Sequence, residues 1–312
     1  MEHKLELKNI SKAFSGVQAL NKISFEAKSG EVVALLGENG AGKSTLLKIM
    51  SGAYIPDEGE IYLDGEKQEF SAPLDAIRHG INIIYQERQL VPYLTVMENV
   101  YMENIPNKHG IVDYKSANAR TQNLIDMFGL PFKATQKVAE LSIAHQQMVE
   151  IIKAVRRKCP VIAFDEPTAS LTETEIDSLF KIIRRLQGEG RIILYVSHRL
   201  KELFELTDRI VVLKDGNYVT TVNTNETDTD QLVRYMVGRD LGDVYNTLDR
   251  SEATDEVILE AKELCNKYID HVSFKLHAGE VLGFAGLVGA GRTETMRAVY
   301  GADPLESGEI YI

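Results

Sequence analysis

Two patterns of hydrophobic spacing alternate along the chain. Short runs rich in β-branched and aliphatic residues, VVALL, NIIY, VIAF and RIILYV, carry apolar side chains at consecutive positions, as strands buried on both faces do. Between them stand STLLKIM and EIDSLFKIIRRLQ, whose apolar positions recur at helical spacing. This alternation predicts a parallel α/β sheet. The segments LELKNI, KISFEA, EIYLDG and DRIVVLKDGNYVTTV instead mix polar and apolar positions and close at Gly or Asp-Gly turns, which predicts a small antiparallel sheet alongside. From about residue 90 to 157 the spacing is helical with few strand signals, so a helical subdomain is expected ahead of VIAF.

The pattern repeats itself. Residues 23–63 and 272–312 align without a gap, with roughly fifteen identities in about forty positions, where chance supplies two or three. The first copy reads ISFEAKSGEVVALLGENGAGKST and closes with GAYIPDEGEIYL; the second reads VSFKLHAGEVLGFAGLVGAGRTE and closes with GADPLESGEIYI. A duplicated domain is expected, with residues 1–244 as the first copy, 245–256 as a polar linker and 257–312 as the opening fragment of a second copy. The stub's apolar segments VSFKL and VLGFAG are read as strands.

Composition changes the picture mainly by exclusion. The 312 residues, 44% hydrophobic and 26% charged, suit a globular protein of more than one domain. No apolar run approaches the roughly 18 to 20 residues that cross a bilayer, and the first residues show no basic patch leading into an apolar stretch, so no secretory signal is read. The two cysteines form no CxxC and stand beside no His cluster, which gives neither a disulfide framework nor a zinc spacing and suits a reduced compartment. A net charge of −11 disfavours nucleic acid as a partner.

Chemistry concentrates in two places. Gly37–Ser44, GENGAGKS, matches GxxxxGK[ST] between an apolar strand and a helical run, the context that motif requires. Gly40 and Gly42 let backbone N–H groups turn toward phosphate oxygens, Lys43 adds a cation, the helix start adds its dipole, and the Ser44 hydroxyl suits Mg²⁺. Further on, VIAFDEP places Asp165 and Glu166 at the carboxyl edge of the sheet, where α/β proteins bind ligands. A lone DE pair after a strand is more often a solvated strand end. Beside a phosphate loop it divides into an Asp that holds Mg²⁺, usually through water, and a Glu that orients the attacking water. Together these motifs indicate a P-loop NTPase.

Three further elements narrow the class. LSIAHQQ (141–147) opens an amphipathic helix with Ser142 as its N-cap, Gln86 follows the strand NIIY, and His198 follows RIILYV. In this order the chain closely resembles the nucleotide-binding domains of ABC transporters. The resemblance implies a RecA-like parallel core with an antiparallel β subdomain and an inserted helical subdomain. It implies ATP and Mg²⁺, bound by Gly37, Glu38, Asn39, Gly40, Ala41, Gly42, Lys43, Ser44 and Thr45. It also implies an adenine-stacking aromatic at Phe14, which in isolation would read as core. Asp165, Ser44 and Gln86 would serve the metal, Glu166, His198 and Gln86 the catalysis, and Ser142 the γ-phosphate held by an opposing domain.

The departures are informative. Where most such domains read LSGGQ, this chain has Leu141, Ser142, Ile143, Ala144 and His145, and Thr172 replaces a common aspartate in ASLT. These changes, with GENGAGKSTLLKIMSG, LTVMENV, EPTASLTETE and the tandem layout, resemble the simple-sugar import subfamily. That resemblance implies transmembrane permease subunits, an extracytoplasmic sugar-binding protein, a second nucleotide-binding domain and the cytoplasmic face of a membrane. A nucleoside importer is the nearest alternative. Soluble tandem ATPases of ribosomes or DNA are further away, because their charged helical linkers or zinc cysteines are missing. In the second copy Arg292 replaces Lys43, Leu287 and Val288 replace Glu38 and Asn39, and Glu294 replaces Thr45, while Thr293 keeps a hydroxyl. A bulky guanidinium does not substitute for a compact ammonium in a tight loop, so this copy is read as degenerate.

Overall fold

The structure is a computed structural model that describes residues 2–108, 111–169, 171–237, 253–286 and 289–312. It divides into two compact units, Met1–Leu241 and Gly242–Ile312. In the first, strands β1 (Lys4–Phe14), β2 (Val17–Lys28) and β3 (Val32–Leu36) precede helix α1 (Lys43–Met50). There follow β4 (Glu58–Leu63), β5 (Glu66–Gln68), α2 (Pro73–Arg78) and β6 (Ile81–Ile84). Next come α3 (Val96–Tyr101), a short hairpin of β7 (Asn107–Lys108) and β8 (Ile111–Val112), α4 (Tyr114–Met127) and α5 (Ile143–Arg156). The unit continues with β9 (Val161–Asp165), α6 (Glu173–Gly188), β10 (Ile192–Val196), α7 (Leu200–Leu206), β11 (Arg209–Lys214), β12 (Asn217–Asn223) and α8 (Thr229–Val237).

The expected parallel core is present: β6, β9, β10, β3 and β11 pair in parallel, and β3, β9 and β10 are buried at every position. The antiparallel strands are not a separate small sheet alongside it, as the spacing suggested. They join the core in one ten-stranded sheet of order β5-β4-β1-β2-β12-β11-β3-β10-β9-β6. The junction is a single recorded pair, Asn217 with Asn21, which no periodicity could announce.

Alternation across the pleat sends successive strand residues to opposite faces. On one face Val32, Ile162, Phe164, Ile193 and Tyr195 share a core with Met148 and Ile152 of α5 and Leu179 and Ile183 of α6. On the other, Val33, Leu35, Ala163 and Leu194 share a core with Leu46, Leu47 and Met50 of α1 and with Leu5, Leu7, Ile10 and Ile23 of the antiparallel strands. The helices between residues 90 and 157 start on side-chain caps. Thr95 and Glu98 form a capping box on α3, Asp113 accepts from the Ser116 N–H on α4, and Ser142 caps α5.

The second unit holds β13 (Val257–Asn266), β14 (Ile269–His277), α9 (Arg292–Val299) and β15 (Ser307–Tyr311), with the strands ordered β14-β13-β15 over a small core of Ala261, Leu264, Ile269 and Ala298. VLGFAG does not form the expected strand. Residues 281–286 have no ladder partner, and Val281 is 97% exposed. The repeat equates this segment with β3, which lies between β10 and β11; among the described residues of the second unit nothing corresponds to either neighbour. Most of the expected linker, 245–252, lies outside the described residues, as do Leu287 and Val288.

Candidate functional site

A helix start and three strand ends meet at the carboxyl edge of the parallel strands. The first arm is the turn from β3 into α1. A Cβ on Gly37 would stand 2.4 Å from the Leu213 carbonyl oxygen, and one on Gly42, which sits at φ 98°, would stand 2.5 Å from Leu20 Cδ2. Neither position has room for a side chain. Lys43, the first residue of α1, is buried, and its Nζ donates to the carbonyls of Gly37 at 2.7 Å and Glu38 at 2.9 Å. Burial pushes this ammonium's pKa down, against the pull of Glu166 and Asp165. Its two hydrogen bonds go to neutral carbonyls, so the charge is available to an anion placed in the loop.

The second arm is the end of β9. Asp165 is buried and Glu166 partly so. Glu166 adopts the left-handed conformation at φ 47°, with its N–H donating to Val196 O at 2.9 Å. That backbone costs on the order of 1 kcal/mol for a non-glycine residue, and it breaks the strand alternation that would otherwise aim Glu166 away from Asp165. Burial, and then the neighbouring Glu166, push the Asp165 carboxyl up to about 6, with Lys43 opposing. A carboxylate taken out of water beside a second carboxylate is a place that a hard cation would relieve, and the oxygen donors of Asp165, Ser44 and Gln86 suit Mg²⁺.

The remaining arms converge on Glu166. Gln86 Nε2 approaches one carboxylate oxygen at 3.4 Å, and His198 Nδ1 lies 3.3 Å from the other. They follow β6 and β10, the two strands that flank β9, so residues far apart in the chain meet because their strands are neighbours. Asn39, Gly40, Ala41, Gly42, Lys43, Ser44, Thr45, Gln86 and Glu166 line one cleft of about 360 Å³ together with Ala19. Ala19, at the end of the antiparallel sheet next to the junction, carries no sequence signal.

Two expected residues stand elsewhere. Phe14 is not among those lining the cleft; it packs edge-on against Tyr54 with ring centroids 5.2 Å apart and is 39% exposed. Ser142 is exposed at the start of α5, where its Oγ accepts from the His145 N–H at 3.2 Å, beside an exposed Ile143. Thr172 also caps a helix, sharing a capping box with Glu175 at the head of α6. The residue that sequence reasoning missed is Glu202. Helical spacing puts it with Leu203 and Leu206 on the buried side of α7, and an acid on an apolar face was the available signal.

Residues 20–169 match the ABC transporter family model. The chain has the fold of an ATP-binding cassette. Over 99% of its length it is 48% identical to the arabinose import ATP-binding protein AraG of Vibrio parahaemolyticus. Over 98% it is 47% identical to a protein of Agrobacterium fabrum named for ribose/galactose/methyl galactoside import. The chain spans 61% of the length of each of these relatives. Among solved structures, the cassette is similar to MJ0796 in a dimeric post-hydrolysis state bound to ADP and Pi, with a TM-score of 0.63 and 28% identity over 70% of this chain and 98% of that one. A nucleotide-free ATP-binding cassette shares the fold, with a TM-score of 0.66 at 24% identity over 78% and 99% of the two chains.

Proposed function

We propose that this chain binds and hydrolyses ATP as the energising subunit of an importer for a monosaccharide. The reading rests on one observation: a phosphate-type loop with a buried lysine shares a cleft with Gln86 and Glu166, and Glu166 is held between Gln86 and His198 next to the raised carboxylate of Asp165. Lys43 and the loop N–H groups bind the β- and γ-phosphates, and the hydroxyl of Ser44, the carboxylate of Asp165 and the carbonyl of Gln86 would hold Mg²⁺. When bound, that ion neutralises charge that develops on the phosphate oxygens. Glu166 accepts a hydrogen bond from the attacking water and draws its proton, while His198 holds Glu166 from one side and contacts the γ-phosphate. Phe14 stacks on the adenine.

Ser142 serves a second cassette rather than its own, which accounts for an exposed N-cap serine that does not line the cleft, and helix N-termini favour anions. Residues 1–244 form the first cassette, with a helical subdomain at about 90–157, and 257–312 the opening of a second, degenerate one joined by a linker at 245–256. The cassette works at the cytoplasmic face of a membrane on transmembrane permease subunits fed by a sugar-binding protein. The import names of both relatives support the sugar class. Reconstitution with a partner permease, and uptake of arabinose, ribose and galactose measured against nucleosides, tests the reading. ATP-dependent sugar uptake is expected, and uptake of nucleosides alone would overturn the substrate class.

A further inference from the structure

The carboxylate of Glu202 lies behind the cleft rather than in it, and the residue is 5% exposed. Its Oε2 accepts three hydrogen bonds, from Thr168 Oγ1 at 3.0 Å, Tyr195 OH at 2.9 Å and Ser197 Oγ at 2.8 Å. Its Oε1 lies 3.5 Å from Arg199 Nη1. These donors belong to two segments of the chain, the loop after β9 and the end of β10 with the turn that follows it. Thr168 stands two residues beyond Glu166, whereas Tyr195, Ser197 and Arg199 bracket His198. Ser197 Oγ also accepts from the Arg199 N–H at 3.0 Å, so the turn that carries His198 is held on both sides of that residue.

Resting on the roles given above to Glu166 and His198, we infer that Glu202 is a positioning residue for hydrolysis: its carboxylate ties the Glu166 loop to the His198 loop. The tie sets, from the buried side, the 3.3 Å approach of those two side chains. Three hydroxyl donors aimed at one oxygen require an acceptor with no proton of its own on that side. Glutamine offers one oxygen and an NH₂ group, so it leaves either a hydroxyl or the guanidinium facing a donor. An apolar residue takes this acceptor from all three hydroxyls. Packing alone would be served by leucine, which α7 already uses at positions 203 and 206.

The test uses the full chain carrying Glu202→Gln, Ser197→Ala or Thr168→Val. It measures ATP turnover, nucleotide affinity and the ring resonances of the seven histidines with ¹³C label, His198 being assigned through His198→Ala. Glu202→Gln is expected to lower kcat by roughly 10- to 100-fold, the scale of a displaced reacting group, with KM and nucleotide affinity changed by no more than about twofold. The His198 resonance should shift or broaden in nucleotide-free protein. Ser197→Ala and Thr168→Val combined should cost less than the product of their separate effects, because both loosen one tie. Unchanged kcat with an unchanged His198 signal would overturn the inference, as would a loss confined to KM. Should Glu202→Gln not fold, the two hydroxyl variants decide by the same criteria. The resonance arm needs no hydrolysis. A chain that never turns over ATP but whose His198 signal moves sinks the functional reading and leaves the tie standing.

Discussion

Gly42 and Gly291 both sit at helix N-caps in the left-handed conformation, at φ 98° and 80°, and Lys43 and Arg292 both begin the helix that follows. Their surroundings differ. Lys43 is 7% exposed and hydrogen-bonded to two loop carbonyls, whereas Arg292 is exposed. The glycine turn and helix start are local features, encoded in about a dozen residues, and they form in both places. A site needs more than that. Asp165 and Glu166 act on Lys43 from the end of β9, Gln86 and His198 approach Glu166 from the ends of β6 and β10, and among the described residues of the second unit no strand delivers their counterparts.

The sharpest break with that comparison would come from Glu166. Glu166→Gln is expected to reduce turnover by roughly 10² to 10⁴ while leaving ATP binding intact; near-normal turnover would show that the strand ends are not what separates the two loops. Next is the cation itself. Lys43→Ala should weaken nucleotide binding by roughly 10- to 100-fold, the loss of a charge-assisted contact, while Arg292→Ala should leave it within about twofold in the same titration. Equal losses would mean that the second loop also binds.

A smaller effect appears in stability. The raised pKa of Asp165, about 6 against an ordinary value of 3.8, means that the folded cassette holds this proton more tightly than the unfolded chain. The group's contribution is therefore full below about pH 4 and lost as pH rises through about 6. Asp165→Asn, a mimic of the protonated form, should raise the stability of the metal-free cassette by roughly 2 kcal/mol at pH 7.5, with the gain shrinking as pH falls toward 4. A pH-independent gain in thermal unfolding would contradict the carboxylate pairing. Smallest of all, Arg292→Lys should change nucleotide binding by less than about twofold, because it restores the motif without restoring its surroundings; isothermal titration reads this directly.

What was legible in the chain follows the same division. The Gly37–Ser44 turn, the buried strands and the Ser142 cap are local, and each stands where spacing and residue type placed it. The approach of Gln86 and His198 to opposite oxygens of Glu166 depends on strand order, which one sequence does not encode in any window. For that reason their roles came from a resemblance and not from spacing. Val281–Gly286 shows the limit from the other side: an apolar run identical in pattern to β3 forms no strand, because ladder partners and not propensity make a parallel strand. Glu202 could have been suspected from its place on the apolar side of α7, but its donors lie at the ends of two strands, β9 and β10, and in the turns after them, which only the fold brings together.

The junction of the ten-stranded sheet has a mechanical meaning. At one recorded pair, Asn21 with Asn217, the antiparallel portion meets the parallel core, helped by the Asn21 N–H donating to Gly216 O at 2.7 Å and the Asn21 amide donating to Asn217 Oδ1 at 2.9 Å. Arg209 adds a bond to the Glu26 carbonyl at 2.8 Å, so few backbone bonds carry load between the two portions, whereas a full ladder shares it along its length. Ala19, beside the seam, lines the cleft on one side and α1 on the other. A ligand in the cleft therefore acts as a clasp across the seam, and a cassette pulled from its two sheet portions should yield at a higher force when nucleotide is bound than when it is absent.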